Sequence, residues 1–222
     1  MTGPFLGVER SVTGRRWRAR STGDDRLSLQ LAQRLGVPEL IARLLAARDI
    51  AADEADRFLK PTLRDWLPDP SHLLDMEKAV ERLVSAVKNG ELVAIFGDYD
   101  VDGTTSVSLV YRYLRTLGAD CSFYIPDRNA EGYGVSSAGI DHAISTGVRL
   151  VIALDLGIKA AAMVDKASAA GIDFIICDHH RPGNEIPNAV AVLDPKRVDC
   201  DYPYKELSGC GVGFKLVQAL SE

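Results

Sequence analysis

The sequence predicts an α/β protein with a mostly parallel sheet flanked by helices and preceded by a small helical N-terminal region. From residue 75 onward, short apolar runs alternate with segments of helical periodicity. Several runs are continuously apolar, as in LVAIF at 92–96, which is typical of parallel strands buried on both faces. Strands that alternate with helices form right-handed β-α-β units around a parallel sheet. The 222 residues, 46% of them hydrophobic, suffice for one core of good size with a smaller region attached.

The first 74 residues are expected to form a region of their own. Residues 1 to about 25 predict a loosely ordered, arginine-rich arm. The arm contains Arg10, Arg15, Arg16, Trp17, Arg18 and Arg20. Arginines beside an aromatic ring are typical of single-strand binders, but a solvated tail that contacts nothing explains them equally well. Residues 27–60 carry helical periodicity, including a short helix at about 52–60, and the proline-rich stretch 61–74 predicts an irregular connection.

Residues 75–222 are expected to form the main domain. Asp75 is the predicted N-cap of its first helix, which ends at Gly90. The later helices are predicted at 104–117, 136–146 and 160–170, with a last one from near Gly211. The strands are predicted at 92–96, 121–126, 149–154, 173–177 and 189–194.

Charge and cysteine content narrow the possible classes of protein. The net charge of −5 argues against a strongly basic nucleic-acid binder, although bound cations would offset the charge of carboxylate ligands. No two of the four cysteines have C-x-x-C spacing, so neither a zinc knuckle nor a redox motif is indicated. Buried free thiols suit a reducing cytoplasm. No apolar run approaches the ~18 residues that a spanning helix needs, and the start lacks the pattern of a secretory signal. We therefore expect a cytoplasmic protein with no membrane contact.

Carboxylates and imidazoles follow three of the predicted strands. These residues are Asp98, Asp100 and Asp102 after the first, Asp155 after the third, and Asp178, His179 and His180 after the fourth. A turn is a sufficient explanation for any one of these motifs. In an open parallel sheet, however, ligands bind beyond the carboxyl ends of the strands. Three such motifs, each at the end of a strand, therefore predict one common site.

So many carboxylates cannot lie close together as free anions, because like charges raise the pKa of their neighbours. Divalent cations resolve the conflict. Carboxylate oxygens with an imidazole nitrogen suit Mn²⁺, or Mg²⁺ if the imidazole contributes little. Five or more ligands can hold two ions with one carboxylate bridging. Two ions about 3.5–4 Å apart can activate a water and stabilise the leaving oxygen of a phosphoester.

The three motifs resemble those of a known superfamily. Residues 98–103 (Asp-Tyr-Asp-Val-Asp-Gly), 154–158 (Leu-Asp-Leu-Gly-Ile) and 178–180 (Asp-His-His) resemble motifs I to III of the DHH phosphoesterases. Other members of that superfamily, the pyrophosphatases and small-oligonucleotide phosphodiesterases, have a histidine four residues before the position of Asp100. Phe96 stands there in this chain. This difference favours the RecJ-type exonucleases.

Three further segments resemble the RecJ type. They are FLKPTLRDWLPDPSHLLDMEKAVERL at 58–83, PDRNAEGYGVS at 126–136 and LSGCGVGFKL at 207–216. The resemblance covers nearly everything from about residue 38 onward. It implies a metal-dependent exonuclease that hydrolyses single-stranded DNA in the 5′-to-3′ direction, in DNA repair and recombination. It also implies a separate substrate-binding domain and a further motif aspartate beyond Glu222, so we expect a truncated DHH domain with weak or no activity alone.

The resemblance also implies roles for individual residues. One metal would be held by Asp100 and Asp155 with Asp98 beside it, and the other by Asp102, Asp155 and His179, which makes Asp155 the bridge. His180 would face the scissile phosphate, and Asp178 would orient a histidine. The residues implied to approach the DNA are Arg128, Gly132, Tyr133, Gly134, Gly209 and Gly211. For the four glycines, turns and close helix packing are competing explanations.

Two alternatives come from different classes. Asp100-Val-Asp102-Gly-Thr104 fits the D-x-D-G-T signature of haloacid-dehalogenase-type phosphatases, with Asp100 as the nucleophile. That family does not require Asp-His-His and places its first aspartate directly after the strand, whereas Gly97-Asp98-Tyr99 intervene here. The other alternative is a non-catalytic fragment that binds metal or nucleic acid.

Overall fold

The chain forms two compact units, Met1–Leu67 and Pro68–Glu222, in a computed structural model that describes residues 3–18 and 25–222. The sequence places the boundary slightly later, after residue 74. The structure includes Leu73 in the second unit because its side chain is buried in that unit's hydrophobic core.

Over its described residues, the first unit contains four α-helices, α1 (Asp25–Leu35), α2 (Glu39–Ala46), α3 (Ala55–Leu59) and α4 (Leu63–Trp66). Their core consists of Leu31, Ala42, Leu45 and Ala55. Helix α3 is shorter than the expected 52–60, since residues 52–54 form a turn before it.

The expectation of an irregular connection over 61–74 is wrong in part. Helix α4 lies within this stretch, and a single 3₁₀ turn follows at Pro70–His72. Thr62 caps α4 by accepting a hydrogen bond from Asp65 N, and Asp69 caps the 3₁₀ turn by accepting from Ser71 N. Pro70 occupies the first position of that turn, where its missing N–H costs nothing.

The arm is more ordered than the sequence predicts over residues 3–18. Its backbone folds back on itself, since Phe5 N donates to Trp17 O at 3.0 Å and Trp17 N donates to Val8 O at 3.1 Å. Ser11 N donates to Arg15 O at 2.8 Å and closes the tip. Arg20 lies outside the described residues, and the binding of single strands by the arm stays a prediction.

The second unit is built on five parallel strands in the order β2-β1-β3-β4-β5. The strands are β1 (Val93–Gly97), β2 (Cys121–Tyr124), β3 (Leu150–Leu154), β4 (Asp173–Cys177) and β5 (Ala191–Leu193). Gly97 pairs with Leu154, and Leu154 pairs with Cys177. Because these three residues end their strands in register, the residues that follow them emerge side by side at one edge.

Helices cover both faces of the sheet. The first core lies between the sheet and α5 (Met76–Lys88), α6 (Val101–Thr116) and α10 (Gly209–Ser221). The second core lies between the sheet and α8 (Ser137–Thr146) and α9 (Ala161–Ala169). A one-turn helix, α7 (Arg128–Glu131), follows β2. The predicted α/β class is confirmed. No helix in the described part of the chain combines the length and the apolar character needed to cross a membrane.

Three helix starts differ from the sequence predictions. Asp75 precedes α5, but its side chain makes no capping bond, since it pairs with Lys78 and Arg197 instead. Helix α6 begins at Val101 rather than at residue 104, because the Asp100 side chain caps it. Helix α10 begins at Gly209 rather than near Gly211, because Ser208 caps it. The second of these differences changes the geometry of the predicted site.

Candidate metal centre

Three buried aspartates stand side by side at the carboxyl edge of the sheet. Asp98, Asp155 and Asp178 follow the ends of β1, β3 and β4, which are in register. Their relative exposures are only 2%, 2% and 1%. Burying a carboxylate is costly unless it gains hydrogen bonds, a counter-ion or a metal. The partners of each carboxylate therefore indicate what the site holds.

Potential ligand atoms form two clusters that share one residue. Asp98, Asp100 and Asp155 form the first, and Asp155, His179 and His180 form the second. Within each cluster, one ligand atom from each residue lies within 4.8 Å of the others. The shared residue, Asp155, is the one that the resemblance to DHH proteins implies as the bridge. The second cluster, however, contains His180 where the resemblance implies Asp102.

Asp155 has the least satisfied carboxylate of the site. Its Oδ1 is buried without a hydrogen-bond partner and lies 3.1 Å from His179 Nε2. Burial, with the charges of Asp102 and Asp100, raises the pKa of Asp155 to about 7. The residue also has a positive φ of 63°, which is uncommon for a non-glycine residue. An orphaned buried oxygen facing an imidazole, beside other carboxylates, fits a divalent cation.

Asp100 and Asp102 are both fixed by backbone amides. Asp100 Oδ1 accepts from Asp102 N at 2.9 Å and from Gly103 N at 3.0 Å, which leaves Oδ2 for another ligand. Asp102 accepts from Gly209 N at 2.7 Å and from Cys210 N at 2.8 Å. Its Oδ2 lies 3.8 Å from His179 Nε2. Asp102 therefore faces the second cluster while it holds the start of α10 against α6.

The carboxylate of Asp178 contacts the ring of His180. Its Oδ1 lies 2.7 Å from His180 Nδ1, and its Oδ2 accepts from Ile158 N at 2.9 Å. Burial opposes ionisation of Asp178, but these hydrogen bonds outweigh burial and lower its pKa. The hydrogen bond to Asp178 in turn raises the pKa of His180. His180 Nε2 lies 3.1 Å from the hydroxyl of Tyr133, so the ring is held from both sides.

Asp194 is a further buried acid at this edge, outside the three motifs. Its Oδ1 accepts a hydrogen bond from Lys196 N at 2.7 Å, in the turn that follows β5. However, Oδ2 is buried without a partner, and burial, with the charge of Asp178, raises the pKa of Asp194 to about 6. Like the other acids of the edge, it directly follows an apolar strand, and that position could have identified it.

Comparisons with known proteins agree with this geometry. The model of the DHH family, N-terminal domain, matches residues 92–222, which contain all three motifs. This chain belongs to the DHH family. It is 38% identical over 205 residues to the single-stranded-DNA-specific exonuclease RecJ of Bacillus subtilis and 39% identical over 186 residues to that of Escherichia coli. These alignments cover 92% and 83% of the chain, but only 26% and 31% of the two relatives.

A solved structure extends the comparison. The crystal structure of RecJ from Thermus thermophilus in complex with Mn²⁺ superposes with a TM-score of 0.73 at 26% identity. The match covers 90% of this chain and 28% of that chain. Membership of the DHH family does not favour the haloacid-dehalogenase alternative. In addition, Asp100 Oδ1, part of the presumed nucleophile in that alternative, is engaged as a helix cap.

Four of the six residues expected to approach DNA follow β2 in the chain, namely Arg128, Gly132, Tyr133 and Gly134. The guanidinium of Arg128 lies 4.9 Å from the ring centroid of Tyr99, between the first two motif aspartates. Gly132 and Gly134 have φ values of 83° and 88°, which favour glycine. Tyr133 between them is 62% exposed and reaches His180. These φ values agree with the turn explanation for both glycines, and the segment places Tyr133 beside His180.

Gly209 and Gly211 are explained by packing and capping. A Cβ atom on Gly209 would lie 2.3 Å from Asp155 Oδ1, so only glycine fits beside that carboxylate. The Gly209 N–H donates to Asp102 and the Gly211 N–H donates to Ser208 Oγ. Because both amides have partners within the protein, the structure gives no support to the predicted phosphate contact at these two residues.

Proposed function

We propose that this chain carries the metal-dependent phosphodiesterase site of a RecJ-type exonuclease, which hydrolyses single-stranded DNA from its 5′ end in repair and recombination. The observation that carries the proposal is the pair of ligand clusters that share Asp155, whose Oδ1 is buried without a hydrogen-bond partner. The relatives named as single-stranded-DNA-specific exonucleases support the choice of substrate. The four free cysteines, three of them buried, fit a reducing cytoplasm.

The donor set suits two Mn²⁺ or Mg²⁺ ions. Asp98, Asp100 and Asp155 would hold one, and Asp155 and His179, with Asp102, would hold the other. When bound, the ions would supply an activated water and stabilise charge on the phosphoryl oxygens. Carboxylates suit both metals, whereas the imidazole of His179 favours Mn²⁺.

The remaining residues would position the substrate. Asp178 keeps a proton on His180 Nδ1, because its own pKa is lowered and it remains ionised. The raised pKa of His180 favours a second proton on Nε2, which can be donated to a phosphate oxygen in place of the Tyr133 contact. Arg128 and Tyr133 are exposed beside this position and would contact the strand.

One observation favours a non-catalytic metal-binding role as the second candidate. Both oxygens of Asp102 accept backbone hydrogen bonds, so this carboxylate has fewer lone pairs to offer the second ion. In that case the chain would bind one ion and turn over poorly.

Digestion of single-stranded oligonucleotides labelled at either end tests the proposal. Weak activity is expected of the chain alone, so it is used in molar excess over the DNA. With Mn²⁺, 5′-labelled DNA should release labelled mononucleotide from the start of the reaction, while 3′-labelled DNA should shorten gradually. Chelation of the metal should stop both, and a circular single strand should resist. Metal binding by calorimetry without hydrolysis would instead support the non-catalytic role.

A further inference from the structure

A basic groove lies next to the DHH motif on the β5 side of the sheet. It has a volume of about 440 Å³ and is lined by Arg181, Pro182, Lys196, Lys205 and Glu206. Arg181 directly follows His180, and Lys196 lies in the turn after β5. Both therefore stand at the carboxyl edge of the sheet, the edge that carries the metal centre.

The charges of this basic groove are largely unneutralised. Three cations face one carboxylate, which leaves two positive charges in excess on a chain whose net charge is −5. Among the described residues, only Lys196 of the three pairs with a carboxylate, at 3.4 Å from Glu206. The Glu206 side chain is 71% exposed, so this pair is weak. The Lys205 ammonium donates to the carbonyl of Cys200, which fixes its position without neutralising its charge.

We propose that the basic groove binds a backbone phosphate of the single strand, on the opposite side of the metal centre from Arg128. The sheet order carries the argument. Arg128 follows β2 at one edge of the sheet, the metal centre lies at the ends of β1, β3 and β4, and the groove lies beyond β4 and β5. A strand held at both positions passes over the metal centre. Lysine and arginine contacts to phosphate are independent of base sequence, as a general exonuclease requires.

This inference rests on the proposed function, and it is tested by binding. The groove variant is Arg181→Gln, Lys196→Gln and Lys205→Gln together. Its affinity for a 3′-fluorescein oligothymidylate with phosphorothioate linkages is measured with Ca²⁺ over a range of salt concentrations. Each lost phosphate contact should make the negative slope of log K against log salt less steep by about 0.7, and it should raise Kd about eightfold at ~50 mM salt.

The control variant is Lys88→Gln, Arg115→Gln and Arg149→Gln, which removes the same charge from exposed residues that precede β1, β2 and β3. The control should keep the wild-type salt slope. Equal losses of DNA affinity in both variants would overturn the inference, and so would a wild-type salt slope in the groove variant. The proposed function would still stand if the wild-type chain digested the strand with Mn²⁺. A wild-type chain that neither binds nor digests the strand would overturn both.

Discussion

The two ends of the sheet differ in how their charged side chains are neutralised. At the amino end, the guanidinium of Arg82 lies 2.6 Å from Glu91 and 2.6 Å from Asp173. At the carboxyl end, no lysine or arginine of the described residues forms an ion pair with Asp98, Asp100 or Asp155, although two of these are nearly fully buried. The amino end neutralises its charges with the protein's own side chains. At the carboxyl end, the proposed metal ions would neutralise the carboxylates, and this difference supports placing the proposed chemistry there.

The largest expected effect is the loss of activity when an aspartate at the carboxyl end is replaced by asparagine, compared with the same replacement at the amino end. Asp155→Asn should reduce Mn²⁺-dependent digestion of single-stranded DNA by at least about 10³-fold, roughly 4 kcal/mol of barrier, since a bridging ligand serves both ions. Asp173→Asn, which removes a carboxylate paired with Arg82, should stay within a few fold of wild type. Initial rates at saturating Mn²⁺ compare them. Near-normal turnover by the Asp155 variant would show that the bridge is misassigned.

The pH dependence of the free energy of unfolding should also reflect the buried acids at the carboxyl end of the sheet. In the metal-free protein the pKa of Asp155 is about 7 and that of Asp194 about 6, both above their ordinary value of 3.8. The folded state therefore holds protons that the unfolded state has released, and the free energy of unfolding should fall by about 2–4 kcal/mol between about pH 5 and pH 8. His180, whose pKa is also raised, adds to this loss.

Thermal unfolding with and without Mn²⁺ measures this effect. The metal-free Tm should drop as the pH rises through that window, and Mn²⁺ should restore it at the alkaline end by binding the ionised carboxylates. Asp155→Asn should lose most of both responses. A metal-free Tm that rises from about pH 5 to pH 8 would contradict the assigned pKa directions.

A smaller effect should follow from loss of Asp178, which we propose orients His180. Asp178→Asn should lower the rate by about 10–100-fold, as is usual when a carboxylate behind a site histidine is removed. Asp173→Asn serves again as the control, since Asp173 begins the strand that Asp178 follows. Because the doubly protonated His180 would donate to a phosphate oxygen, wild-type kcat should fall as the pH rises above the pKa of His180. A variant that misplaces His180 should lose this fall, and comparison of kcat with KM across pH therefore identifies the cause. An unchanged profile would remove His180 from the reaction.

The smallest of these effects should distinguish two glycines of α10. Gly209→Ala places a methyl group 2.3 Å from Asp155 Oδ1 and should reduce activity by about tenfold, or 1.4 kcal/mol, by displacing that carboxylate. Gly211→Ala meets only the side chains of Leu207 and Ser208, at 3.3 Å or more, and should leave activity intact. Rates and Mn²⁺ affinity are measured for both variants. Equal behaviour of the two would mean that Gly209 does not position Asp155.

The sequence predicts the edge of the sheet better than the details of the site. Asp98, Asp155 and Asp178 could be placed together because each follows an apolar run, and local pattern is sufficient for that. The first turn of α6 could not be predicted, since a glycine such as Gly103 disfavours a helix. The structure shows why glycine is needed there, because a Cβ at this position would lie 2.4 Å from the Asp98 carbonyl oxygen. The bonds from Asp102 to the amides of Gly209 and Cys210 join distant parts of the chain, so no local pattern reveals them.

The left-handed backbone of Asp155 has a consequence for engineering the protein. A non-glycine residue in this conformation costs about 1–3 kcal/mol, and its buried carboxylate adds a desolvation cost when no metal is bound. Screening of random variants for heat resistance in the presence of a chelator would thus enrich changes such as Asp155→Gly, which relieves both costs. The same library selected in Mn²⁺ would keep the aspartate. The choice of buffer would then decide whether a thermostable descendant of this chain remains an enzyme.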